Sequence, residues 1–185
     1  MPVVHLIVGP NGAGKTTFHE RILKPALRLP FINADVIARS LWPGREEEHG
    51  YAAAAKAERE RSRALAAGRS FIAETVFSHP SKLEFLRRAR KSGYQVTLHV
   101  ILIPEDLAVV RVRLRREQGG HSVPEAKVRS RYRRLWLHVR NAIPIVDEAV
   151  LYDNSRAKTP FRLITRYRDG IPVLTRQHPG WSPLR

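Results

Sequence analysis

Residues 9–16 of the 185-residue chain read Gly-Pro-Asn-Gly-Ala-Gly-Lys-Thr and fit the pattern G-x-x-x-x-G-K-[ST] at every position. The apolar run Val3–Val8 precedes this segment, and a helical pattern opens at Lys15 and continues to about Leu29. In this strand–turn–helix context, the backbone N–H groups of the loop surround phosphate oxygens. The motif therefore predicts nucleoside triphosphate binding and the first βα unit of a parallel sheet.

Different residues of this loop are predicted to contact different parts of ATP and its Mg²⁺ ion. Lys15 is placed to reach the β- and γ-phosphates, and the Thr16 hydroxyl is placed to ligate magnesium. The glycines allow the backbone to turn inward, and the N-terminus of the following helix adds a partial positive charge. The residues predicted to bind ATP are Gly9, Asn11, Gly12, Ala13, Gly14, Lys15, Thr16 and Thr17.

Apolar runs alternate with helical patterns along most of the chain, which indicates an α/β fold. The expected architecture is the three-layer fold of P-loop nucleotide kinases, with a mostly parallel five-stranded sheet and a helical lid. The predicted strands are Val3–Val8, Phe31–Asn33, Ser70–Ala73, Tyr94–Ile103 and Ala149–Tyr152.

We predict a single P-loop kinase domain over residues 1–176, in which residues 104–141 form the lid. An Asp-Gly pair separates two short β-type runs near the end of the chain, which predicts a hairpin over residues 161–175. Residues 177–185 are polar and rich in proline, and we expect a loosely ordered tail there.

The composition narrows the class of protein. The chain has 33 basic and 17 acidic residues, a net charge of +16, and 26 of the basic residues are arginines. This balance favours polyanionic partners such as nucleotides or nucleic acid, although a general bias toward arginine explains it equally well. The absence of cysteine excludes disulfides and thiolate chemistry. No apolar run approaches the roughly 20 residues of a membrane span, and no signal-peptide pattern opens the chain, so we expect a cytoplasmic protein without membrane contact.

A P-loop does not by itself identify the acceptor of the γ-phosphate. No N-K-x-D guanine signature occurs in the sequence, which disfavours a GTPase. The strand Tyr94–Ile103 is followed by Pro104-Glu105-Asp106 and lacks an obvious Walker B aspartate, which disfavours a motor ATPase. A kinase of a small molecule fits the length of the chain best.

Two carboxylates follow predicted strands, where parallel sheets place their functional groups. Asp35 follows the second strand and is predicted to be the catalytic base that accepts the proton of the acceptor hydroxyl. Capping of the next helix is the alternative role for Asp35. Glu74 ends the third strand and is expected to contact magnesium-bound water or substrate hydroxyls. Thr75 and Ser78 follow as candidates for substrate hydrogen bonds.

The lid is predicted to bring arginines to the transferring phosphate. One face of its first helix, expected to be buried, carries Leu107, Val110, Leu114 and Gln118. Arg111 lies on that face and Arg115 at its edge. The face of the second helix expected to be buried carries Val128, Tyr132, Leu135, Trp136 and Val139. Arg131 flanks this second face, and we predict catalytic roles for Arg115 and Arg131. His121, in the turn between the helices, is either a lid or substrate contact or a plain surface residue.

Several segments in order along the chain resemble the zeta-toxin-like P-loop kinases, particularly the short members of that family. They are residues 9–17, 31–35, 72–78, 119–124, 129–132 and 152–155. Within this set, Phe-Ile-Asn-Ala-Asp and Ile-Ala-Glu-Thr-Val-Phe-Ser contain the two carboxylates discussed above. The chain is shorter than typical zeta toxins and has Ala34 and Val76 in the second and third motifs.

The resemblance implies a specific reaction. Zeta toxins transfer the ATP γ-phosphate to the 3′-hydroxyl of the amino sugar in UDP-N-acetylglucosamine. In these toxins the chemistry is carried out by the P-loop lysine, the carboxylates after strands two and three, and lid arginines. These correspond here to Lys15, Asp35, Glu74, Arg115 and Arg131. Nothing in the residues points to an antitoxin partner.

Three functional hypotheses follow from the sequence. The first is an ATP- and magnesium-dependent kinase of a small-molecule hydroxyl. The second is a nucleic-acid 5′-hydroxyl kinase or an ATP-dependent nucleic-acid-binding protein, which the charge of +16 supports. The third is a nucleotide-binding regulator without turnover.

Overall fold

One sheet of seven strands runs through the part of the chain that the computed structural model describes, residues 1–117 and 123–184. The strands are β1 (Val3–Val8), β2 (Phe31–Ile32), β3 (Phe71–Thr75), β4 (Gln95–Leu102), β5 (Glu148–Asp153), β6 (Arg162–Arg168) and β7 (Ile171–Thr175). Their order across the sheet is β2-β3-β1-β4-β5-β6-β7. Neighbours among β1 to β5 pair in parallel, and β6 and β7 pair antiparallel.

Helices cover both faces of the parallel part of the sheet, so β1 and β4 are buried along most of their length. The helices are α1 (Lys15–Phe18), α2 (Lys24–Leu27), α3 (Ala34–Leu41), α4 (Gly50–Ala66), α5 (Ser81–Lys91), α6 (Glu105–Glu117) and α7 (Glu125–Ala142). Helix α4 packs against α3, and α7 packs against α5 and α6. None of the helices in the described ranges has the length and apolarity needed to cross a membrane.

The strand register brings the ends of β1, β2 and β3 to one edge of the sheet. Glu74 in β3 pairs with Ile7, just before the glycine-rich loop. Ile32, the last residue of β2, pairs with Ala73. Asn33 therefore leaves β2 at the level of Glu74, and parallel pairing places the groups that follow all three strands close together.

The helix predicted over Lys15–Leu29 is irregular. A π-helical turn over His19–Leu23 separates α1 from α2, and the segment ends at Arg28, which has a left-handed φ of 53°. Pro25 lies in the first turn of α2 and has no N–H to donate to the preceding turn, so the regular i to i−4 bonding cannot continue through it.

The sheet has more strands than the five predicted, because the C-terminal hairpin joins it. Strand β6 pairs with β5, with Leu151 opposite Thr165, and β7 pairs with β6. Without this hairpin, β5 would present unpaired backbone groups at the edge. The outer strand, β7, contains Pro172, which suits an edge because proline has no N–H to donate to a further strand.

Residues 177–184, in the segment predicted as a loosely ordered tail, pack back onto the domain instead. Ser182 and Leu184 are buried. The Oγ1 of Thr165 lies 2.8 Å from Nε2 of His178, and Arg140 donates a hydrogen bond to the carbonyl of Pro183.

Of the face of α6 predicted to be buried, Leu107 packs against the core, but the prediction is wrong for the other two described residues. Val110 and Leu114 are exposed, and Ala108 and Val112 are the buried residues of this helix. Gln118, the last member of the predicted face, lies outside the described residues. The small side chains of the true inner face let α6 approach the glycine-rich loop closely: a Cβ at Gly12 would lie 3.0 Å from the carbonyl oxygen of Ala108. The five predicted residues of α7 are all buried.

Two histidines meet inside the sheet, where β1 and β4 are neighbours. His5 Nδ1 lies 3.1 Å from His99 Nε2, and the two rings stack. Phe18 and Tyr152 also lie against the His99 ring. Burial, assisted by the nearby His5 and Arg166, lowers the pKa of His99 to about 3. His99 is therefore neutral in the folded protein at physiological pH.

This neutral histidine predicts a loss of stability in acid. Between pH 6.5 and pH 3 the unfolded chain protonates His99 and the folded chain does not, so stability falls as the pH falls. His99→Gln should reduce the dependence of the free energy of unfolding on pH by up to about 1.4 kcal/mol per pH unit in this window. Urea denaturation at a series of pH values measures the slope. The exposed His79→Gln is the control, and equal slopes in the two variants would contradict the prediction.

Candidate active site

The glycine-rich loop has a shape that requires its glycines. Gly12 and Gly14 have φ angles of 75° and 86°, in the left-handed region. A Cβ at Gly14 would lie 2.7 Å from Nδ2 of Asn154, which itself donates a hydrogen bond of 2.8 Å to the carbonyl of Ala13. Helix α1 begins at Lys15 without a side-chain cap. Its first N–H groups therefore point toward the loop, as in sites that bind phosphate.

Lys15 is buried in the loop. Its Nζ donates a hydrogen bond of 3.0 Å to the carbonyl of Pro10 and lies 3.7 Å from Oε1 of Glu74. Burial lowers the pKa of Lys15, and the carboxylates of Glu74 and Asp35 act in the opposite direction. The ammonium is thus held by oxygen atoms at the position where the motif predicts contact with phosphate.

The carboxylate of Glu74 joins three elements of the site. Its Oε2 accepts hydrogen bonds from the Thr16 hydroxyl at 2.8 Å and from Nδ2 of Asn33 at 2.7 Å. Its other oxygen faces Lys15. The structure therefore places Glu74 directly against Thr16, the predicted magnesium ligand.

Asp35 lies in the first turn of α3, and Asn33 caps this helix. Oδ1 of Asn33 accepts hydrogen bonds from the backbone N–H groups of Asp35 at 2.6 Å and Val36 at 3.2 Å. The alternative role of Asp35 as the helix cap is therefore wrong. The Asp35 side chain is exposed to the pocket, and its negative charge partly opposes the lowering of the pKa of Lys15 and Arg131 by burial.

The lid helices bring three arginines to the same pocket, Arg111, Arg115 and Arg131. Arg111 Nη1 lies 3.5 Å from the carbonyl of Gly12. Burial lowers the pKa of both Arg111 and Arg131. The sequence pattern predicts Arg111 on the inner face of α6 without a catalytic role, and in the structure Arg111 lines the site. His121 lies outside the described residues.

A neighbouring arginine has a structural role. Arg129 forms an ion pair with Glu125 on its own helix and with Asp106 and Glu105, and the last two pairs tie α7 to the start of α6. Hydrogen bonds from Arg129 to these carboxylates raise its pKa well above the usual range. Because Arg129 is engaged in this way, it holds the two lid helices in register.

The pocket around these groups has a volume of about 880 Å³. Thr75 and Ser78 line it as well, and the Thr75 hydroxyl accepts a hydrogen bond of 3.2 Å from the N–H of Phe77. The part of the pocket away from the loop is lined by α3, α4 and the start of α5. In the described ranges, no three histidine, cysteine, aspartate or glutamate side chains are grouped so that they could hold a metal ion on their own.

Sequence reasoning missed two asparagines that organise this site. Asn33 immediately precedes a helix that begins after a strand, and this position is a signal for a cap. Asn154 follows β5 and supports the loop through Ala13, a contact between residues far apart in the chain. No local pattern indicates such a contact.

The loop, the carboxylates at the strand ends and the helical lid define a P-loop nucleotide-binding protein with the kinase fold. The chain belongs to the family described as AAA domain, whose profile matches residues 4–161. A search of curated proteins found no match.

Solved structures support the same fold. The chain is similar to a chain of the AvrRxo1-ORF1:AvrRxo1-ORF2 complex with ATP, at a TM-score of 0.71 and 18% identity, covering 94% of this chain and 60% of that one. It thus spans about three fifths of that protein. The PezAT toxin–antitoxin system of Streptococcus pneumoniae matches at a TM-score of 0.64 and 18% identity, covering 88% and 72%.

A third similar structure is the shikimate kinase from Acinetobacter baumannii with bound shikimate. It matches at a TM-score of 0.52 and 19% identity, covering 77% of this chain and 80% of that one. At these identities the likeness concerns the fold. The predicted P-loop kinase fold is confirmed, and the match to a toxin–antitoxin system agrees with the resemblance to zeta-toxin-like kinases.

The contact between Gly14 and Asn154 predicts a specific effect on ATP binding. Gly14→Ala combines a left-handed φ with a clash against Asn154, so it should move the loop and weaken ATP binding at least tenfold, about 1.4 kcal/mol. Gly44→Ala is the matched control, because Gly44 has a similar φ of 79° and nothing within 4 Å of the added Cβ. The control should lose about 1–2 kcal/mol of stability through strain and keep its ATP affinity.

Calorimetric titration with ATP and thermal denaturation of both variants make this comparison. Equal ATP affinity in the two proteins would show that the close packing of Asn154 on the loop does not matter for nucleotide binding.

Proposed function

We propose that this protein is an ATP- and magnesium-dependent kinase that phosphorylates a hydroxyl group of a small metabolite. The observation that carries the proposal is the contact of the Glu74 carboxylate with Thr16 and Lys15, in a pocket that Asp35 also lines. This arrangement puts groups suited to phosphate, to a metal ion and to a transferable proton in one place.

The residues present fit ATP and magnesium. The uncapped start of α1 and Lys15 would hold the phosphates, and the oxygens of Thr16 and Glu74 would hold magnesium, which prefers oxygen ligands. Magnesium usually shares its ligands with phosphates and needs few protein side chains, which agrees with the small number of carboxylates here. ATP would supply the phosphoryl group, and magnesium would neutralise part of its charge.

The remaining residues have defined roles in this proposal. Asp35 accepts the proton of the acceptor hydroxyl as its oxygen forms a bond to the γ-phosphorus and the bond to ADP breaks. Asn33 fixes the start of α3 and thereby the position of Asp35. The side chains of Arg115 and Arg131, together with Arg111, stabilise negative charge on the transferring group.

The first acceptor to consider is UDP-N-acetylglucosamine. The resemblance to zeta-toxin-like kinases suggests it, and Asp35, which follows β2, is exposed to the pocket where an acceptor hydroxyl would lie. The pocket of about 880 Å³, which includes the glycine-rich loop, has the size of a small-molecule site. Thr75 lines the same region and is a candidate for a further hydrogen bond to the acceptor.

Substitution of the proposed base tests the mechanism. Asp35→Asn should leave ATP affinity nearly unchanged and reduce phosphoryl transfer by about 10² to 10⁴, because the acceptor hydroxyl loses its proton acceptor. Lys15→Ala is the contrasting variant, and it should lose both ATP affinity and transfer. Single-turnover measurements with labelled ATP separate binding from chemistry. A normal rate of phosphoryl transfer by Asp35→Asn would mean that a group other than Asp35 accepts the proton of the acceptor hydroxyl.

A panel of acceptors tests the substrate class. Purified protein with ATP and magnesium is incubated with UDP-N-acetylglucosamine, other sugar nucleotides, nucleosides and a 5′-hydroxyl oligonucleotide, and the products are read by mass spectrometry. We expect phosphate on a sugar nucleotide, and its loss with Asp35→Asn. Phosphate on the oligonucleotide alone would favour the nucleic-acid kinase, and ATP binding without any product would favour the regulator.

A further inference from the structure

We propose that the acceptor carries an oxyanion, a phosphate or carboxylate group, and that Arg61 and Lys82 bind this group at the end of the pocket formed by α4 and α5. The proposal deepens the proposed kinase function, since the ligand is the acceptor of that reaction. Binding of the oxyanion can nevertheless be measured without turnover.

The first observation is the burial of Arg61. This arginine lies on α4, lines the pocket and is only 5% exposed. Its Nη2 donates a hydrogen bond of 2.6 Å to Oε2 of Glu58, three residues earlier on the same helix. A buried arginine is costly unless its donors are satisfied, and a guanidinium has five of them.

The second observation is an excess of positive charge at the same place. Lys82, in the first turn of α5, donates a hydrogen bond of 2.8 Å to the same oxygen of Glu58, and Arg88 Nη2 lies 3.7 Å from its other oxygen. Burial acts to raise the pKa of Glu58, but hydrogen bonds from Lys82 and Arg61 outweigh it and lower the pKa to about 2. Three cations, Arg61, Lys82 and Arg88, therefore share the one carboxylate of Glu58.

The third observation is which of these charged side chains line the pocket. Arg61 and Lys82 line the cavity, and of the described residues Glu58 is not part of its lining. The carboxylate thus pairs with the two cations from outside the lining of the cavity. A guanidinium and an ammonium fixed in this way form a site for an oxyanion, because the arginine offers paired donors and the lysine a compact charge.

The wall of α4 leaves room for the rest of the acceptor. Ala53 and Ala57 precede Arg61 at intervals of four residues, so the three lie along one side of the helix over about 12 Å. Ala53, Ala54 and Ala57 all line the pocket. Their small side chains allow a sugar-sized group to lie against α4 while its oxyanion reaches Arg61.

The charge of the whole pocket agrees with an anionic acceptor. Eight lysine and arginine side chains line it, against the four carboxylates of Asp35, Glu46, Glu47 and Glu74. Lys15 and the three lid arginines account for the ATP phosphates. Arg61 and Lys82 lie on other elements and share the single carboxylate of Glu58, so their excess positive charge can bind a second anionic molecule.

A binding experiment tests the site directly. The protein is first loaded with magnesium and a non-hydrolysable ATP analogue, so that the glycine-rich loop is occupied. Inorganic phosphate, pyrophosphate and malonate are then titrated by calorimetry. We expect binding that Lys82→Gln weakens at least about tenfold, the usual effect of losing a charged hydrogen bond, with unchanged affinity for the analogue.

Arg88→Gln is the matched control, because Arg88 shares Glu58, is half exposed and does not line the pocket. It should change oxyanion affinity less than about twofold, well below the effect of a lost charged hydrogen bond. Arg61→Lys keeps the buried charge and should weaken binding of the phosphates by losing the paired donors. If Arg61→Lys does not fold, the comparison of Lys82→Gln with Arg88→Gln decides the question.

The possible results separate the two proposals. Tighter binding of pyrophosphate or phosphate indicates a phosphorylated acceptor, and tighter binding of malonate indicates a carboxylate. Absence of binding by all three probes, or equal effects of Lys82→Gln and Arg88→Gln, would overturn the oxyanion site and leave the kinase function intact. Oxyanion binding by a protein that transfers no phosphate to any acceptor would instead overturn the kinase function.

Discussion

The carboxylate of Glu74 is the interaction on which the rest of the site depends. The pairing of β3 with β1 fixes its place beside Ile7, and from there it binds Thr16, Asn33 and the ammonium of Lys15. A buried lysine without such a partner would tend to lose its proton. Because Asn33 also caps α3, the same carboxylate connects the phosphate-binding loop to the helix that carries Asp35.

The lid depends on a second constraint, the close approach of α6 to the loop. Ala108 and Val112 form the inner face of this helix, and a larger residue at Gly12 would meet them. The short side chains bring Arg111 next to the carbonyl of Gly12. Arg129 then couples α7 to α6 through the two carboxylates of Glu105 and Asp106, so that Arg131 enters the pocket from a helix that is tied to α6.

Features that depend on contiguous sequence patterns could be predicted, and features that depend on contacts between distant parts of the chain could not. The loop, Asp35 and Glu74 were predictable because a glycine pattern and strand exits are contiguous features. The buried face of α6 was not, because both of its faces carry apolar residues and periodicity alone does not choose between them. The addition of the hairpin to the sheet depends on the need of β5 for a neighbour, which appears only once the strand order is known.

The composition could not show whether the net charge serves a function, because that depends on which basic residues the fold brings together. Glu58 and Arg61 are three residues apart on a helix rich in charged residues, a spacing typical of solvent-exposed pairs. Arg61 of this pair is nevertheless buried against the pocket, on the helix that packs beside α3, and Lys82 on α5 binds the same Glu58. Of the 33 basic residues, eight line one cavity, so a quarter of the positive charge faces the place where two phosphate-bearing or carboxylate-bearing ligands would meet. Five of the eight are arginines, and the pocket brings Arg61 and Lys82 together with Lys15 and the lid arginines, an arrangement that composition alone does not predict.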